Sequence, residues 1–212
     1  MIGAQNPPRN AIADAAKVPS SIPLIPLTEV VLFPSVARPL FIVEPHHREA
    51  VADALKGNRV VGIILLRSGS EAASDGPIHD IGCAGEIEDY EQLPDGRYYV
   101  VLRGLSKFRV LGEDRGKAYR QARVEVMPEV TRDEDLASLT AMRDRLAAIV
   151  PRALPGNIEP PGPWLSDVHF VNVTVMLLNM PENVRQGLLE RSSTILRAQA
   201  LLELLGMPAS PQ

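Results

Sequence analysis

The chain has 212 residues, of which 22 are basic and 26 are acidic, so its formal net charge is −4. This balance opposes attraction to phosphate and does not favour nucleic acid as a partner. Apolar residues make up 45% of the chain and charged residues 23%, which excludes a largely disordered protein. The length allows one large domain or two small ones, with enough residues to bury a core without disulfides.

Residues 1–20, which include Pro7 and Pro8, lack a clear period and are predicted to form a flexible tail. The longest apolar run, residues 60–66, is far shorter than the roughly 20 residues of a membrane helix. We therefore expect no membrane span. Cys83 is the single cysteine and cannot form an intrachain disulfide, so the sequence predicts a cytoplasmic protein.

Strands are predicted over most of residues 21–128. A period of two is clearest at residues 121–127, where Val124 and its apolar neighbours alternate with charged residues. The turn sequence at 94–96 predicts a hairpin, with Gly96 supplying a positive φ. Pro45 and Gly57 bracket one predicted helix, which Gly57 is expected to end in a left-handed conformation. Residues 68–80 are predicted to form a mobile loop.

Helices are predicted over residues 129–206. Thr131 and Glu134 form a capping-box pattern before the first helix. Ser166 or Asp167 could cap a second, although its apolar, β-branched stretch at 168–178 also fits a strand. We favour a helix there because helices flank it. Further helices are predicted after Pro181 and from about residue 193, and residues 207–212 form a predicted C-terminal tail.

An ordered series of Pro, Gly and Asp-Gly positions resembles a known family. It begins at residues 22–27 (Ile-Pro-Leu-Ile-Pro-Leu), continues at 30–34 (Val-Val-Leu-Phe-Pro) and includes the turn at 93–97 and the helix at 197–205. On these residues the chain is similar to the Lon protease N-terminal domain, also called the Lon substrate-binding domain. Lys107 departs from the arginine that is usual in this family.

The resemblance implies an α+β fold, with a PUA-like β barrel over residues 21–128 and a C-terminal helical bundle over residues 129–206. The apolar stretch at 168–178 predicts that the helices pack on the barrel. In full-length Lon proteases this domain is joined to an ATPase module and a serine-lysine peptidase module. The resemblance therefore implies a free-standing, non-catalytic member of the family.

The function implied by the resemblance is binding of unfolded or extended polypeptide, and it leaves a separate protease or chaperone open as a further partner. Residues 30–34 and 39–42 carry more apolar side chains than an alternating strand needs. We therefore predict a polypeptide-binding groove, with Phe33 and Leu40 as exposed anchors. The full predicted site is Val31, Phe33, Pro34 and Leu40.

Signatures of catalysis and of bound cofactors are missing from the sequence. Residues 112–118 lack one spacer residue of a phosphate loop, and Ala118 stands where a magnesium-binding hydroxyl is required. Glu44, His46, His47 and Glu49 could suggest a metal site, but adjacent residues on a helix are expected to diverge. The acidic run at 86–91 lacks the glycine-bearing loop of a calcium site. We predict no enzyme activity, no cofactor and no metal.

The alternative function is an RNA-binding PUA-like module. Basic and aromatic side chains are mixed near the predicted hairpin, as in some single-stranded nucleic-acid sites. In the competing interpretation the aromatic residues fill the core and the acidic run at 86–91 neutralises the cations. The residues concerned are Arg97, Tyr98, Tyr99, Arg103, Lys107, Phe108 and Arg109.

Overall fold

A computed structural model describes residues 11–67, 69, 76–114, 116–156 and 158–207. Two compact units are present, which divide after Pro128. We call them the strand unit, whose described part is residues 11–128, and the helical unit, which runs from residue 129. Residues 1–10 and 208–212 of the predicted tails, and residues 68 and 70–75 of the predicted loop, lie outside the described residues.

The strand unit contains six strands and two helices in its described part. They are α1 (Ala11–Ala15), β1 (Ser21–Leu27), β2 (Ala37–Ile42), α2 (Pro45–Lys56), β3 (Val60–Leu65), β4 (Ile81–Gln92), β5 (Tyr98–Asp114) and β6 (Gln121–Met127). The sheet order is β2-β5-β4-β3-β1-β6, and β6 also pairs with β5. Only β1 and β3 run parallel among these pairs.

The strand pairing therefore forms a ring through β5, β4, β3, β1 and β6, with β2 outside it. Within the described residues β2 pairs only with the first part of β5, where Ala37 lies opposite Arg103 and Ile42 opposite Tyr98. It is an edge strand. The predicted α+β class is confirmed, and the strand half and the helical half occur in the expected order.

The core of the strand unit lies on both faces of β3, all six residues of which are buried. Val61 and Ile63 join one apolar cluster, whereas Val60 and Ile64 join another. This explains why β3 is a continuous apolar run instead of an alternating one. Cys83 lies fully buried on the neighbouring strand β4, opposite Ile63.

The predicted hairpin and helix are present in the strand unit. Gly96 has φ +84° in the turn between β4 and β5, as expected. Gly57 does not take the predicted left-handed conformation, since its φ is −113°. Arg59 takes it instead, with φ 61°, and its N–H donates to the Ala54 carbonyl at 2.9 Å. The left-handed residue therefore lies two positions after Gly57, where the sequence predicted it.

Residues 11–20 are not the predicted tail. They form α1 and lead into β1, and the Val124 N–H donates to the Ser20 carbonyl at 2.8 Å. The buried Asp14 carboxylate accepts a hydrogen bond from Arg103 at 3.2 Å. The contact between Asp14 and Arg103 joins residues far apart in the chain. It leaves no periodic pattern in the sequence, so the sequence did not predict it.

The helical unit contains α3 (Asp133–Ala153), α4 (Asp167–Leu177), α5 (Glu182–Leu189) and α6 (Thr194–Leu204) in its described part. The side-chain oxygens of Ser166 and Ser193 accept from the N–H groups of His169 and Leu196, which confirms two predicted helix starts. The capping box at Thr131 is wrong, because Arg132 is the N-cap and makes no side-chain cap. None of the described helices has the length and apolarity needed to cross a bilayer.

A buried arginine organises the helical unit. Arg197 of α6 is fully buried and donates two hydrogen bonds to Glu129, at 2.8 and 2.6 Å. It also donates to the Asn172 side chain at 2.8 Å and to the Leu188 carbonyl at 2.9 Å. The guanidinium thus connects Glu129 to helices α4, α5 and α6. The buried Glu129 carboxylate balances its charge.

Substitution of Arg197 by Met should lower the free energy of unfolding of the helical unit by about 3–5 kcal/mol, because it leaves the Glu129 carboxylate buried without its cation. Urea denaturation followed by circular dichroism at 222 nm measures this loss. Arg132→Met is the matched control, since Arg132 is exposed, and should change stability by less than about 1 kcal/mol. Equal stabilities of the two variants would contradict the role assigned to Arg197.

Candidate functional site

The residues predicted to line a polypeptide groove do not lie together on an exposed surface. Phe33 has 0% of its surface exposed, and Val31 and Pro34 are also buried. Leu40 is half-buried and packs against the apolar cluster that contains Ile42 and Val100. The expectation that Phe33 is an exposed anchor is therefore wrong.

The apolar excess between β1 and β2 is explained by close packing on two glycines. A Cβ at Gly104 would lie 2.0 Å from the Phe33 carbonyl oxygen, and one at Gly85 would lie 2.9 Å from a Leu32 methyl group. The Ser35 N–H donates to the Gly104 carbonyl at 2.8 Å, and the Gly104 N–H donates to the Val36 carbonyl at 3.0 Å. The segment is apolar because it is core.

Replacement of Gly104 by Ala should destabilise the strand unit by about 2 kcal/mol or more, because the added methyl group meets backbone that cannot move without loss of two hydrogen bonds. The urea midpoint measures this change. Gly112→Ala on the same strand is the control, since its Cβ would meet only the flexible end of Arg123, at 3.3 Å. A Gly104→Ala variant as stable as Gly112→Ala would show that the segment can shift.

Truncation of Phe33 to Ala should cost about 3–5 kcal/mol of stability, as expected for a core aromatic residue. Binding of a denatured client protein by the folded fraction should stay unchanged, since Phe33 has no exposed surface. Client affinity and urea midpoint are measured on the same preparation, with Leu40→Ala as a half-buried comparison. Weakened binding at unchanged stability would restore Phe33 as an anchor.

Two aromatic rings lie exposed on the outer side of the β2–β5 pair. Phe41 and Tyr99 are 40% and 51% exposed, occupy opposite register positions and stack with ring centroids 4.5 Å apart. Val43, two residues after Phe41, is also exposed. We call Phe41, Val43 and Tyr99 the aromatic face. It arises from strand alternation, because Ile42 and Val100 point into the core.

The aromatic face is held by charged neighbours. The Arg97 guanidinium lies 4.9 Å from the centroid of the Phe41 ring, and its Nε donates to Asp95 at 2.7 Å. Arg48 of α2 donates to the Asp95 carbonyl at 3.1 Å, which ties the hairpin turn to the helix. The hydrogen bond from Arg97 lowers the pKa of Asp95, so this ion pair stays charged near neutral pH.

The outer edge of β2 lies beside the aromatic face. In the described chain this edge pairs with none of the named strands, and Pro39 within it has no N–H to donate. Proline is tolerated at such edges because no ladder hydrogen bond is lost. An open edge beside exposed rings has the two features that recognition of an extended chain requires, namely main-chain pairing and shallow apolar contacts.

The basic residues that suggested RNA binding are paired or buried. Arg103 contacts Asp14, Glu86 and Glu88 at 3.2, 2.7 and 2.6 Å, so the acidic run neutralises it as predicted. Lys107 is buried, and Arg109 pairs with Glu125 at 2.8 Å. These cations do not form an exposed face for phosphate.

Lys117, in the turn that resembles an incomplete phosphate loop, is also paired. Its ammonium group donates to the Tyr119 oxygen at 2.7 Å and to Asp53 at 3.0 Å, and the Tyr119 hydroxyl donates to Asp53 at 2.9 Å. These contacts hold the pKa of Asp53 at about 2 and raise the pKa of Lys117. A lysine held in its charged form is a poor nucleophile and a poor base.

Glu44, His46 and His47 converge at the start of α2, contrary to the expectation that they diverge. The imidazole rings lie 4.2 Å apart, edge to face. His46 Nε2 is 3.0 Å, and His47 Nδ1 3.8 Å, from the same Glu44 oxygen. Burial, and then the charge of His46, lowers the pKa of His47 to about 4. Side chains three or four residues apart share a face inside a helix, but Glu44 precedes the helix, so this rule did not predict the group.

A comparison with protein families gives one assignment. The description "ATP-dependent protease La (LON) substrate-binding domain" matches residues 21–206, which is most of the chain and includes parts of both units. The chain belongs to this family. The resemblance inferred from the Pro, Gly and Asp-Gly positions is thereby confirmed.

Relatives of this LON substrate-binding domain include proteins named Lon protease. The Lon protease of Cytophaga hutchinsonii is 25% identical over 97% of this chain and 26% of its own length. The Lon protease of Dictyoglomus thermophilum is 27% identical over 82% of this chain and 22% of its own length. The chain thus spans about a quarter of the length of the curated relatives that it matches.

Solved structures support the fold of the LON substrate-binding domain. A Lon N-terminal domain protein from Xanthomonas campestris aligns with a TM-score of 0.60 and 24% identity, over 89% of this chain and 99% of that one. The N-terminal domain of a Mycobacterium avium complex Lon protease aligns with a TM-score of 0.66 and 19% identity, over 88% and 98%. At these identities the likeness concerns the fold alone.

Proposed function

We propose that this LON substrate-binding domain binds unfolded or extended polypeptide at the outer edge of β2 and on the aromatic face. The observation that carries the proposal is the exposed, stacked pair of Phe41 and Tyr99 beside the outer edge of β2, which pairs with none of the named strands in the described part of the chain. A client chain would pair its backbone with β2, and a side chain on its exposed side would contact Phe41, with Tyr99 one strand further away. Backbone pairing tolerates many sequences, which suits a recognition domain.

The geometry limits the entropy cost of such binding. Both rings stand on paired strands, and the hairpin that carries Tyr99 is fixed by contacts of Asp95 with Arg48 and Arg97. Stacking and the cation over the Phe41 ring hold the two side chains before a client arrives. Anchors that are already ordered lose little conformational freedom on binding.

The proposal also covers catalysis, cellular location and further partners. The domain acts without catalysis and in the cytoplasm, and a separate protease or chaperone is an open partner. The family match, restricted to a substrate-binding domain, and the paired state of Lys117 support the absence of catalysis. The ring of strand pairs supports the barrel, and its PUA-like character stays a prediction.

The RNA-binding alternative is less well supported, because Arg97, Arg103 and Arg109 are each engaged by carboxylates. Ionic strength separates the two functions. Phosphate contacts lose affinity steeply between about 50 and 200 mM salt, whereas apolar binding changes little over this range.

Truncation of Phe41 or Tyr99 to Ala should weaken client binding by about five- to thirtyfold, which corresponds to about 1–2 kcal/mol for an exposed anchor. The measurement is fluorescence anisotropy of a labelled, reduced and carboxymethylated protein, titrated with the full chain at two salt concentrations. Stability should change by less than about 1 kcal/mol, since both side chains are exposed.

Leu111→Ala provides the matched control, because Leu111 is an exposed apolar residue on β5 outside the aromatic face. It should bind the client like the unaltered chain. Affinities of Phe41→Ala and Tyr99→Ala equal to that of Leu111→Ala would exclude the aromatic face, and a steep loss of client affinity with salt would contradict binding through apolar contacts.

A further inference from the structure

Three donor side chains meet where the chain passes from β2 into α2. Pro45 begins the helix, so Glu44 precedes it while His46 and His47 lie in its first turn. One donor atom from each residue can be chosen so that all three lie within 4.8 Å of one another. Two of the four histidines of the chain are in this group. Two imidazoles and a carboxylate are a known ligand set for zinc, in sites that keep a position open.

The separations suit donors that share an ion better than donors that bond to each other. Ligands about 2.1 Å from a tetrahedral ion lie about 3.4 Å apart. The two nitrogens are 3.0 and 3.8 Å from the Glu44 oxygen, on either side of that value. His46 Nε2 is within hydrogen-bond distance of this oxygen but is not aligned to form the bond. Side-chain rotations that bring all three separations near about 3.4 Å would place the three atoms about 2.1 Å from one point.

His47 supplies an independent observation. Its side chain is only 4% exposed, and its buried Nε2 has no hydrogen-bond partner within the described residues. Its Nδ1 faces Glu44 from 3.8 Å, beyond hydrogen-bond range. Among the described residues Nδ1 is therefore not engaged in a hydrogen bond and is available to coordinate a cation, which would place the imidazole proton on Nε2.

We propose that Glu44, His46 and His47 bind one divalent transition-metal ion, of which zinc is the representative. The three side chains leave at least one coordination position for water or for a group of another molecule. The Glu44 side chain is about half exposed, so an ion has a route of entry along this carboxylate. The helix N-terminus repels cations, and the Glu44 carboxylate counters this effect at the ion itself. This site does not depend on polypeptide binding.

The test uses the full chain without an affinity tag, stripped of metal with EDTA and then dialysed. Isothermal titration with Zn²⁺ should give one ion per chain. Glu44→Gln and His46→Gln, both at accessible side chains, should each weaken Zn²⁺ binding by at least about tenfold. His79→Gln and His169→Gln remove the two histidines outside the group and should bind Zn²⁺ within about twofold of the unaltered chain.

A second measurement covers the buried ligand, because substitution of His47 could unfold the chain. Nitrogen-15 spectra of histidine-labelled protein should show Zn²⁺-dependent shifts at His46 Nε2 and His47 Nδ1, and none at His79 or His169. The proposal is overturned if no saturable binding occurs, if Glu44→Gln and His46→Gln bind like the unaltered chain, or if the shifts fall on the other two histidines.

Discussion

The strand unit depends on β5, because three other strands pair with this one strand. It spans 17 residues and pairs with β4 along most of its length. On its other side, the first half of β5 pairs with β2 and the second half pairs with β6. Register shifts at 84/85, 87/89 and 110/112 bend the ladder so that this change of neighbour can occur. The second half of β5 therefore completes the ring, while the first half presents Tyr99.

Buried cations join segments that are distant in sequence. Arg103 of β5 brings together carboxylates from α1 and β4, and Arg197 of α6 holds Glu129 at the beginning of the helical unit. Each guanidinium provides several donors in a fixed plane, which a lysine could not reproduce. Apolar packing supplies most of the stability of such units, whereas these contacts determine which partners meet.

Local signals in the sequence predicted much of the fold. The 94–96 turn, the Pro45 helix start, the cap at Ser166 or Asp167 and the helix start near residue 193 depend on residues close in the chain, and the structure contains them, with Ser166 as the cap. Some of the errors concern distant partners, whereas others are local, such as the left-handed residue, which is Arg59 instead of Gly57. Phe33 is buried because Gly104 leaves space for its backbone, and the rings of His46 and His47 meet at a helix start where interior spacing does not apply. The aromatic face follows from register, which places Phe41 opposite Tyr99.

Because Cys83 is buried, the rate at which its thiol is modified measures local opening of the strand unit. The thiol lies between Ile63 and Lys107 in the ladder, without exposed surface, and it is the single cysteine of the chain. A thiol reagent reaches sulfur only when β4 separates from its neighbours, because alkylation requires an accessible thiolate. The rate of modification therefore reports how often the sheet opens at this one position, and no label has to be introduced.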